Sequence, residues 1–284
     1  MRKALTLRMF PDDYSTLRRV EIAREAGFEA VEVNLEPWQE FSLDTAETDL
    51  VRLRKDIESR GMRVSAVYDR EQWHYPMSSQ DPKTRERCGL IIERLAQAAV
   101  TLGADTVLVM PGAVDNSILA PRPEIVPYAD AYRNAQEVLR RVAQSAGARH
   151  HVHLAAENCP GKLLITPLEF ARFLDEIQSE WVSACFDIGN ALWYGYPEHW
   201  IPVLGQRLWR VHVKDNRLMG GGAVVPAPLL AGDVNWPAVR DALRGIRYDS
   251  WLTAEVLPGY RYHGERLIHE TSASMDAIFG QDGT

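Results

Sequence analysis

The chain has 284 residues, of which 46 % are hydrophobic and 25 % are charged. These are ordinary globular values, and they exclude a disordered chain, a collagen-like repeat and a fibrous coiled coil. Lys and Arg total 32 against 39 for Asp and Glu, which gives a formal net charge of −7. Such a chain has no sequence-wide basic field for a phosphate polymer, so we do not expect nucleic acid as a partner.

The N-terminal segment and the cysteines indicate the cellular compartment of the protein. Residues 1–10 place charges within a short apolar run and lead into Pro11, so they lack the uninterrupted apolar segment of a signal peptide. Cys88, Cys159 and Cys185 are odd in number and too widely spaced for a disulfide framework or a C-x-x-C zinc clasp. No run approaches the roughly 18 apolar residues of a membrane span. We therefore expect a cytoplasmic protein without membrane association.

Short runs rich in β-branched and aliphatic residues recur along the whole chain, and each is followed by a segment with helical periodicity. This is the pattern of βα units, and near-continuous apolar runs such as residues 107–110 suit strands covered on both faces of a parallel sheet. The pattern predicts eight strands, over residues 4–9, 29–35, 62–68, 106–110, 153–157, 182–187, 209–213 and 251–256.

The segments between these runs carry apolar residues on one helical face, as in Ile91, Leu95, Ala98 and Leu102, which advance by 4, 3 and 4 residues. Eight units average about 35 residues each, which predicts a single (β/α)8 TIM barrel domain over residues 1–284. An open doubly wound sheet is the alternative. It is disfavoured because the loop after the first predicted strand lacks the Gly-rich dinucleotide fingerprint, and no G-x-x-x-x-G-K-[ST] motif occurs.

Polar residues end the second strand and the last four strands. Glu32, Asn34 and Glu36 alternate along the second strand, so one of its faces either points polar groups into the barrel mouth or is a solvated strand end. The active site of a parallel barrel is built where its strands end. The residues that close the last four strands there are Glu157, Asp187, His212 and Glu255.

These four residues form a candidate metal site. A carboxylate that closes an apolar run has a desolvation cost unless it meets a partner, and a metal ion accepts several carboxylates at once. Three carboxylates and one imidazole are a mostly hard donor set, which suits Mn²⁺, Mg²⁺ or Co²⁺ and accommodates Zn²⁺. The alternative is that each residue is an isolated polar group hydrogen-bonded to a loop.

Five motifs then follow one another: residues 157–158 with Thr166-Pro167, Asp-Ile-Gly-Asn at 187–190, His-Val-Lys-Asp at 212–215, Gly-Asp-Val-Asn-Trp at 232–236, and residues 248–256. In kind and order they resemble the xylose-isomerase-like TIM barrels. That superfamily contains sugar isomerases and epimerases, inosose dehydratases and metal-dependent apurinic-site endonucleases. Asp-Ile-Gly-Asn and His-Val-Lys-Asp are most similar to the ketose and ketose-phosphate 3-epimerases.

The resemblance implies one divalent metal held by Glu157, Asp187, His212 and Glu255, with the two glutamates as acid and base. We take Mn²⁺ as the first expectation, with Mg²⁺, Co²⁺ and Zn²⁺ as alternatives. A metal on the ketose carbonyl oxygen and the neighbouring hydroxyl stabilises a cis-enediolate. With Glu157 and Glu255 on opposite faces of that intermediate, one removes a proton and the other returns one, which inverts the carbon. Aldose–ketose isomerisation would use the same metal.

Three further residues are candidate contacts to a sugar or sugar phosphate. Asn190 stands where the repair nucleases and some free-ketose epimerases carry histidine, and its amide can donate to a sugar hydroxyl. Arg217 lies where the epimerases often have a substrate-binding arginine. Lys214 is interpreted as a substrate-binding or ligand-orienting residue, with an ordinary ion pair as the alternative. The nucleases' His-x-Gly-x-Gly segment is also absent at residues 230–234, which argues against a nuclease. The long loop of residues 218–231 is a candidate lid or phosphate cradle.

These observations predict a metal-dependent sugar isomerase or epimerase, with 3-epimerisation of a ketose or ketose phosphate as the leading reaction. One alternative is an inosose or keto-acid dehydratase, which would expel a β-hydroxyl from the same enolate. The other is a non-catalytic sugar-binding barrel subunit. The expected partner is a small sugar or sugar phosphate, and the sequence leaves homo-oligomerisation open.

Overall fold

Eight parallel strands close into a barrel in the computed structural model of the chain, which describes residues 1–117 and 123–280. Neighbours in the barrel are neighbours along the chain, and the last barrel strand pairs with the first. The predicted (β/α)8 barrel is confirmed. Its strands are β1 (Arg2–Thr6), β2 (Ala30–Asn34), β3 (Arg63–Tyr68), β4 (Thr106–Val109), β5 (His153–Glu157), β6 (Val182–Asp187), β7 (Leu208–Val213) and β10 (Trp251–Ala254).

Two predicted strands differ from the observed ones by more than a residue: the first at both ends, since β1 begins at Arg2, and the eighth at its end. The first was predicted over 4–9, but β1 pairs with β2 only as far as Thr6, and Leu7–Met9 then forms a 3-10 turn. Leu7 and Met9 are buried all the same. Because buried positions are apolar in a turn as well as in a strand, the sequence of this turn resembles that of a strand. The eighth strand was predicted to reach 256 but ends at Ala254.

Ten helices surround the barrel in the described part of the chain. They are α1 (Thr16–Glu25), α2 (Glu47–Ser59), α3 (Glu71–His74), α4 (Pro82–Leu102), α5 (Tyr128–Val142), α6 (Pro167–Asp175), α7 (Ile188–Ala191), α8 (Pro197–Leu204), α9 (Trp236–Gly245) and α10 (Gly264–Phe279).

Helix α4 shows how local sequence sets these elements. The Asp81 carboxylate accepts from the N–H groups of Lys83 and Thr84, Pro82 occupies the first turn, and Gly103 ends the helix with a left-handed φ of 75°. Its predicted apolar face is buried. That face packs with α2 and α5 around the barrel.

An antiparallel hairpin follows β7 where a lid-like loop was predicted. Strands β8 (Asp215–Leu218) and β9 (Val224–Ala227) pair, and Gly220–Gly222 forms the exposed turn between them. Gly221 and Gly222 have φ values of 79° and 82°, a left-handed conformation that favours glycine. The glycine cluster is therefore a hairpin turn and does not lead into a helix.

The main apolar core lies between the barrel and the helices, and a smaller cluster that includes Tyr68, Leu108 and Ala155 forms a second one. All three cysteines are buried and unpaired. Across residues 1–117 and 123–280, no helix has the length and apolar character needed to cross a membrane.

Candidate metal centre

Four side chains from adjacent strands converge at the carboxyl end of the barrel. Glu157 ends β5, Asp187 ends β6, His212 lies one residue before the end of β7, and Glu255 directly follows β10. Each offers one potential ligand atom, and these atoms lie within 4.8 Å of one another. All four residues are buried. The structure therefore brings together the four residues that the sequence predicts as ligands.

His212 presents one ring nitrogen to this cluster and the other to Glu32. Its Nδ1 lies 3.6 Å from Glu255 Oε2 and 4.0 Å from Glu157 Oε1, and it is buried without a hydrogen-bond partner. Its Nε2 lies 3.1 Å from Glu32 Oε2. A metal-binding histidine usually directs its second nitrogen to a carboxylate in this way, which fixes the tautomer. The free Nδ1 and the three carboxylates thus fit a divalent cation.

Two asparagines hold the ligand-bearing strand ends. The Asn158 side chain donates to the Asp187 carbonyl at 2.9 Å and accepts from the Asp187 N–H at 2.7 Å. The Asn190 Nδ2 donates to Glu157 Oε1 at 3.1 Å, and the Asn190 N–H donates to Asp187 Oδ1 at 2.8 Å. The side chain of Asn190, predicted as a substrate contact, therefore orients Glu157, and its backbone N–H is capped by Asp187 at the start of α7.

Two cations adjoin the cluster. The Lys214 Nζ lies 2.9 Å from Asp187 Oδ2 and 2.8 Å from Glu255 Oε2, so the predicted candidate Lys214 bridges two of the potential ligands. The Arg8 Nη1 lies 3.0 Å from the other oxygen, Glu255 Oε1. Glu255 is thus paired on both oxygens, whereas Glu157 has no lysine or arginine within 4 Å among the described residues.

The two glutamates consequently have pKa values displaced in opposite directions. Burial, with Glu255 and Asp187 nearby, raises the pKa of Glu157 to about 8 despite the nearby His212. Burial also disfavours the charged form of Glu255, but Lys214, His212 and Arg8 outweigh it and hold the pKa of Glu255 well below its usual range. Adjacent carboxyls with opposed pKa shifts are suited to acid and base roles.

Arg217 lies apart from the cluster. It is exposed on β8, and its guanidinium donates to the carbonyl of Ala231. Asp215, the last residue of the His-Val-Lys-Asp motif, organises the loop after the hairpin: its carboxylate accepts from the Gly232 N–H at 3.1 Å and from Trp236 Nε1 at 3.0 Å. A Cβ on Gly232 would lie 2.0 Å from Asp215 Oδ1, so this close approach requires glycine.

Sequence reasoning missed the roles of Glu32, Arg8 and Asn158. Glu32 belongs to the alternating polar face of β2, which the structure shows to be buried, so the alternative of a solvated strand end is wrong. Arg8 was visible only as a charge inside an apolar run. Asn158 stands beside Glu157 in a quoted motif, but nothing local indicates its bonds to the next strand.

The chain is similar in sequence to a known family and to a curated protein. A family model described as xylose isomerase-like TIM barrel matches residues 20–278. A provisional L-ribulose-5-phosphate 3-epimerase of Haemophilus influenzae, SgbU, is 22 % identical over 208 residues, which cover 72 % of this chain and 70 % of that protein.

Solved structures share the fold. A D-psicose 3-epimerase from Clostridium cellulolyticum H10, crystallised with D-tagatose, superposes with a TM-score of 0.78 at 15 % identity, covering 99 % of this chain and 100 % of that one. The IOLI protein with a bound zinc atom gives a TM-score of 0.80 at 13 % identity, covering 98 % of both chains.

Proposed function

Because the chain belongs to the xylose isomerase-like TIM barrel family and its four predicted ligands converge, we propose that it is a divalent-metal-dependent isomerase. The reaction is inversion of carbon 3 of a ketose or ketose phosphate. The observation that carries this proposal is the pair of buried glutamates beside the free Nδ1 of His212. The named epimerase relatives support the reaction class, and zinc in one neighbour supports a divalent cation. Mn²⁺ is the cation we expect.

The residues would act on the substrate from two positions. Glu157, Asp187, His212 and Glu255 would hold the cation, which when bound supplies Lewis acidity beside the substrate carbonyl. Glu255, kept ionised by Lys214 and Arg8, accepts the proton from carbon 3 as the C2–C3 double bond of the cis-enediolate forms. Glu157, the carboxylate with the higher proton affinity, takes up a proton from solvent and delivers it to the opposite face. The roles exchange in the reverse reaction.

A cavity beside Glu255 provides room for the rest of the sugar. It has a volume of about 540 Å³ and is lined in part by Arg8, Asn34, Glu36 and Arg70. Pockets of this size hold small ligands. Asn34 Nδ2 and Glu36 Oε1 are buried without a hydrogen-bond partner. They offer one donor and one acceptor to substrate hydroxyls, and an analogue without those hydroxyls would leave both groups unpaired.

The test is a panel of ketoses and ketose phosphates incubated with Mn²⁺-loaded protein in deuterated water. The expected result is a C3 epimer that carries deuterium at carbon 3, detected by NMR. E255Q and E157Q should each lower kcat by at least about 10²-fold, the lower end of general acid–base contributions. E137Q, which changes an exposed glutamate on α5, is the matched control.

Other outcomes contradict the proposal in distinct ways. A conjugated, ultraviolet-absorbing product would indicate the dehydratase. Deuterium at the adjacent carbon with an aldose product would indicate isomerisation. Sugar binding without any turnover would indicate the non-catalytic subunit.

A further inference from the structure

The opposite end of the barrel contains a second recess, formed where the strands begin. One part, of about 660 Å³, is lined by residues that include Arg2, Arg54, Arg63 and Asp105. The adjoining part, of about 340 Å³, shares Arg2, Asp105 and Trp251 and adds Arg210 and Arg247. We call this region the N-terminal recess. None of its lining residues belongs to the metal centre.

The N-terminal recess is locally basic although the chain carries a net charge of −7. Five arginines line it against three carboxylates, Glu58, Asp105 and Asp249. Each carboxylate already has a cationic partner: Glu58 pairs with Arg54 at 2.8 Å, Asp105 with Arg210, and Asp249 with the Met1 amino group at 3.1 Å.

Three arginines of the recess therefore retain unneutralised charge. No ion pair joins the side chains of Arg2, Arg63 or Arg247 to any carboxylate among residues 1–117 and 123–280. The Arg2 guanidinium lies 4.0 Å from the centroid of the Trp251 ring. Stacking of this kind holds the guanidinium in place and leaves its N–H edge open to an oxyanion.

Arg210 adds a buried donor that has no partner. Its side chain is 4 % exposed, and its Nη atoms donate to Ser250 Oγ at 2.9 Å, to the Trp209 and Ser65 carbonyls and to Asp105. Its Nε has no hydrogen-bond partner. An unpaired buried donor on a charged group is costly, because its desolvation is not offset. Arg210 thus lines the recess with a charged group whose hydrogen bonds the protein does not complete.

We propose that the N-terminal recess binds a small phosphorylated anion. Guanidinium groups that approach from different strands suit the several oxygens of a phosphate group, since arginine recognises phosphate with paired N–H donors. The volume suits a small molecule, and the acidic protein as a whole disfavours a polymer. This site lies at the opposite end of the barrel from the metal centre, so it is independent of the proposed reaction.

Isothermal titration of the full-length protein with inorganic pyrophosphate, at low ionic strength and without added divalent cation, tests the site. We expect binding at one site that weakens as KCl is raised, because salt screens exposed charges. R2Q and R63Q should each weaken it about tenfold, the effect of losing one charge-assisted hydrogen bond. R247Q tests the adjoining part of the recess, and because Arg247 is exposed its replacement does not disturb the core.

Two variants serve as controls. R52Q removes an exposed arginine from α2, and R70Q removes one from the cavity at the other end of the barrel. Both should bind pyrophosphate as the unmodified protein does. Absence of binding, an affinity in R2Q and R63Q equal to that of the unmodified protein, or loss of binding in R70Q alone would overturn the proposal. Circular dichroism of each variant separates lost binding from lost folding.

Discussion

Replacing Glu32 should weaken metal binding even though Glu32 is not one of the four predicted ligands. Glu32 accepts from His212 Nε2 at 3.1 Å, and the two side chains are 2 % and 1 % exposed. A hydrogen bond to a charged group contributes about 1.5–3 kcal/mol, which corresponds to about 10- to 150-fold in affinity. Glu32→Gln keeps an acceptor oxygen but loses the charge, so we expect roughly tenfold weaker binding, near the lower end of that range. Glu32→Ala loses both the acceptor and the charge, and we expect about a hundredfold weaker Mn²⁺ binding.

The assay is competition for Mn²⁺ between the protein and a fluorescent chelator, followed by turnover at saturating Mn²⁺. Turnover should return towards the unmodified value at saturation, because Glu32 acts through His212 and not on the substrate. Glu36→Gln is the matched control for Mn²⁺ affinity, which it should leave unchanged, since Glu36 is a buried carboxylate just beyond β2 that pairs with Arg70 at 3.6 Å. Mn²⁺ affinity in Glu32→Ala within twofold of the unmodified protein would refute this reasoning.

Three other measurements follow from the buried charges. Lys214→Met should lower the stability of the metal-free protein by about 3–5 kcal/mol, because it leaves buried carboxylates unpaired, and added Mn²⁺ should raise its Tm more than that of the unmodified protein; equal Tm shifts would contradict this. Binding of Mn²⁺ at pH 7 should release about two protons, because the pKa of Glu157 is about 8 and, despite burial, neighbouring acidic groups hold the pKa of His212 well above its usual value in the metal-free protein, whereas both bind a metal deprotonated; titration in buffers of different ionisation enthalpy measures the release. Burial raises the pKa of Asp69 to about 7, so the native state binds the extra proton and stability falls as pH rises from about 4 to 7. Asp69→Asn should therefore be more stable than the unmodified protein at pH 8 and equal to it near pH 3, with the exposed Asp13→Asn unchanged at both.

The barrel could be predicted because the sequence patterns that specify its strands and helices are local. Each strand is a short apolar run, each helix repeats its apolar residues every three or four positions, and both signals lie within one βα unit. The prediction of β1 was wrong at its end for a physical reason. Leu7 and Met9 are buried by tertiary packing, so their hydrophobicity says nothing about whether a neighbouring strand is within hydrogen-bonding reach.

The four predicted ligands were accessible to sequence reasoning because each ends a strand, and the ends of parallel strands meet at one rim. Their partners were not accessible. Glu32 reaches His212 across 180 residues, and Arg8 reaches Glu255 across 247. These pairings form only when the barrel has closed, so they cannot be predicted from the spacing of the residues along the chain. Lys214 was noticed through its motif, but its place between two carboxylates depends on β6, β7 and β10 lying side by side.

The charge balance at the barrel mouth connects these observations. With His212 neutral, as a metal ligand must be, four carboxylates and two cations leave a formal charge of −2 in a buried site, contributed by Glu32, Glu157, Asp187, Glu255, Arg8 and Lys214. A divalent cation brings that sum to zero, whereas a monovalent one leaves a buried charge unpaired. In the metal-free protein two protons take the place of the cation: one on His212, whose pKa is raised well above its usual value, and one on Glu157, the carboxylate without a nearby lysine or arginine, whose pKa is about 8. The same asymmetry keeps Glu255 ionised, which is why we assign proton removal to Glu255 and proton return to Glu157.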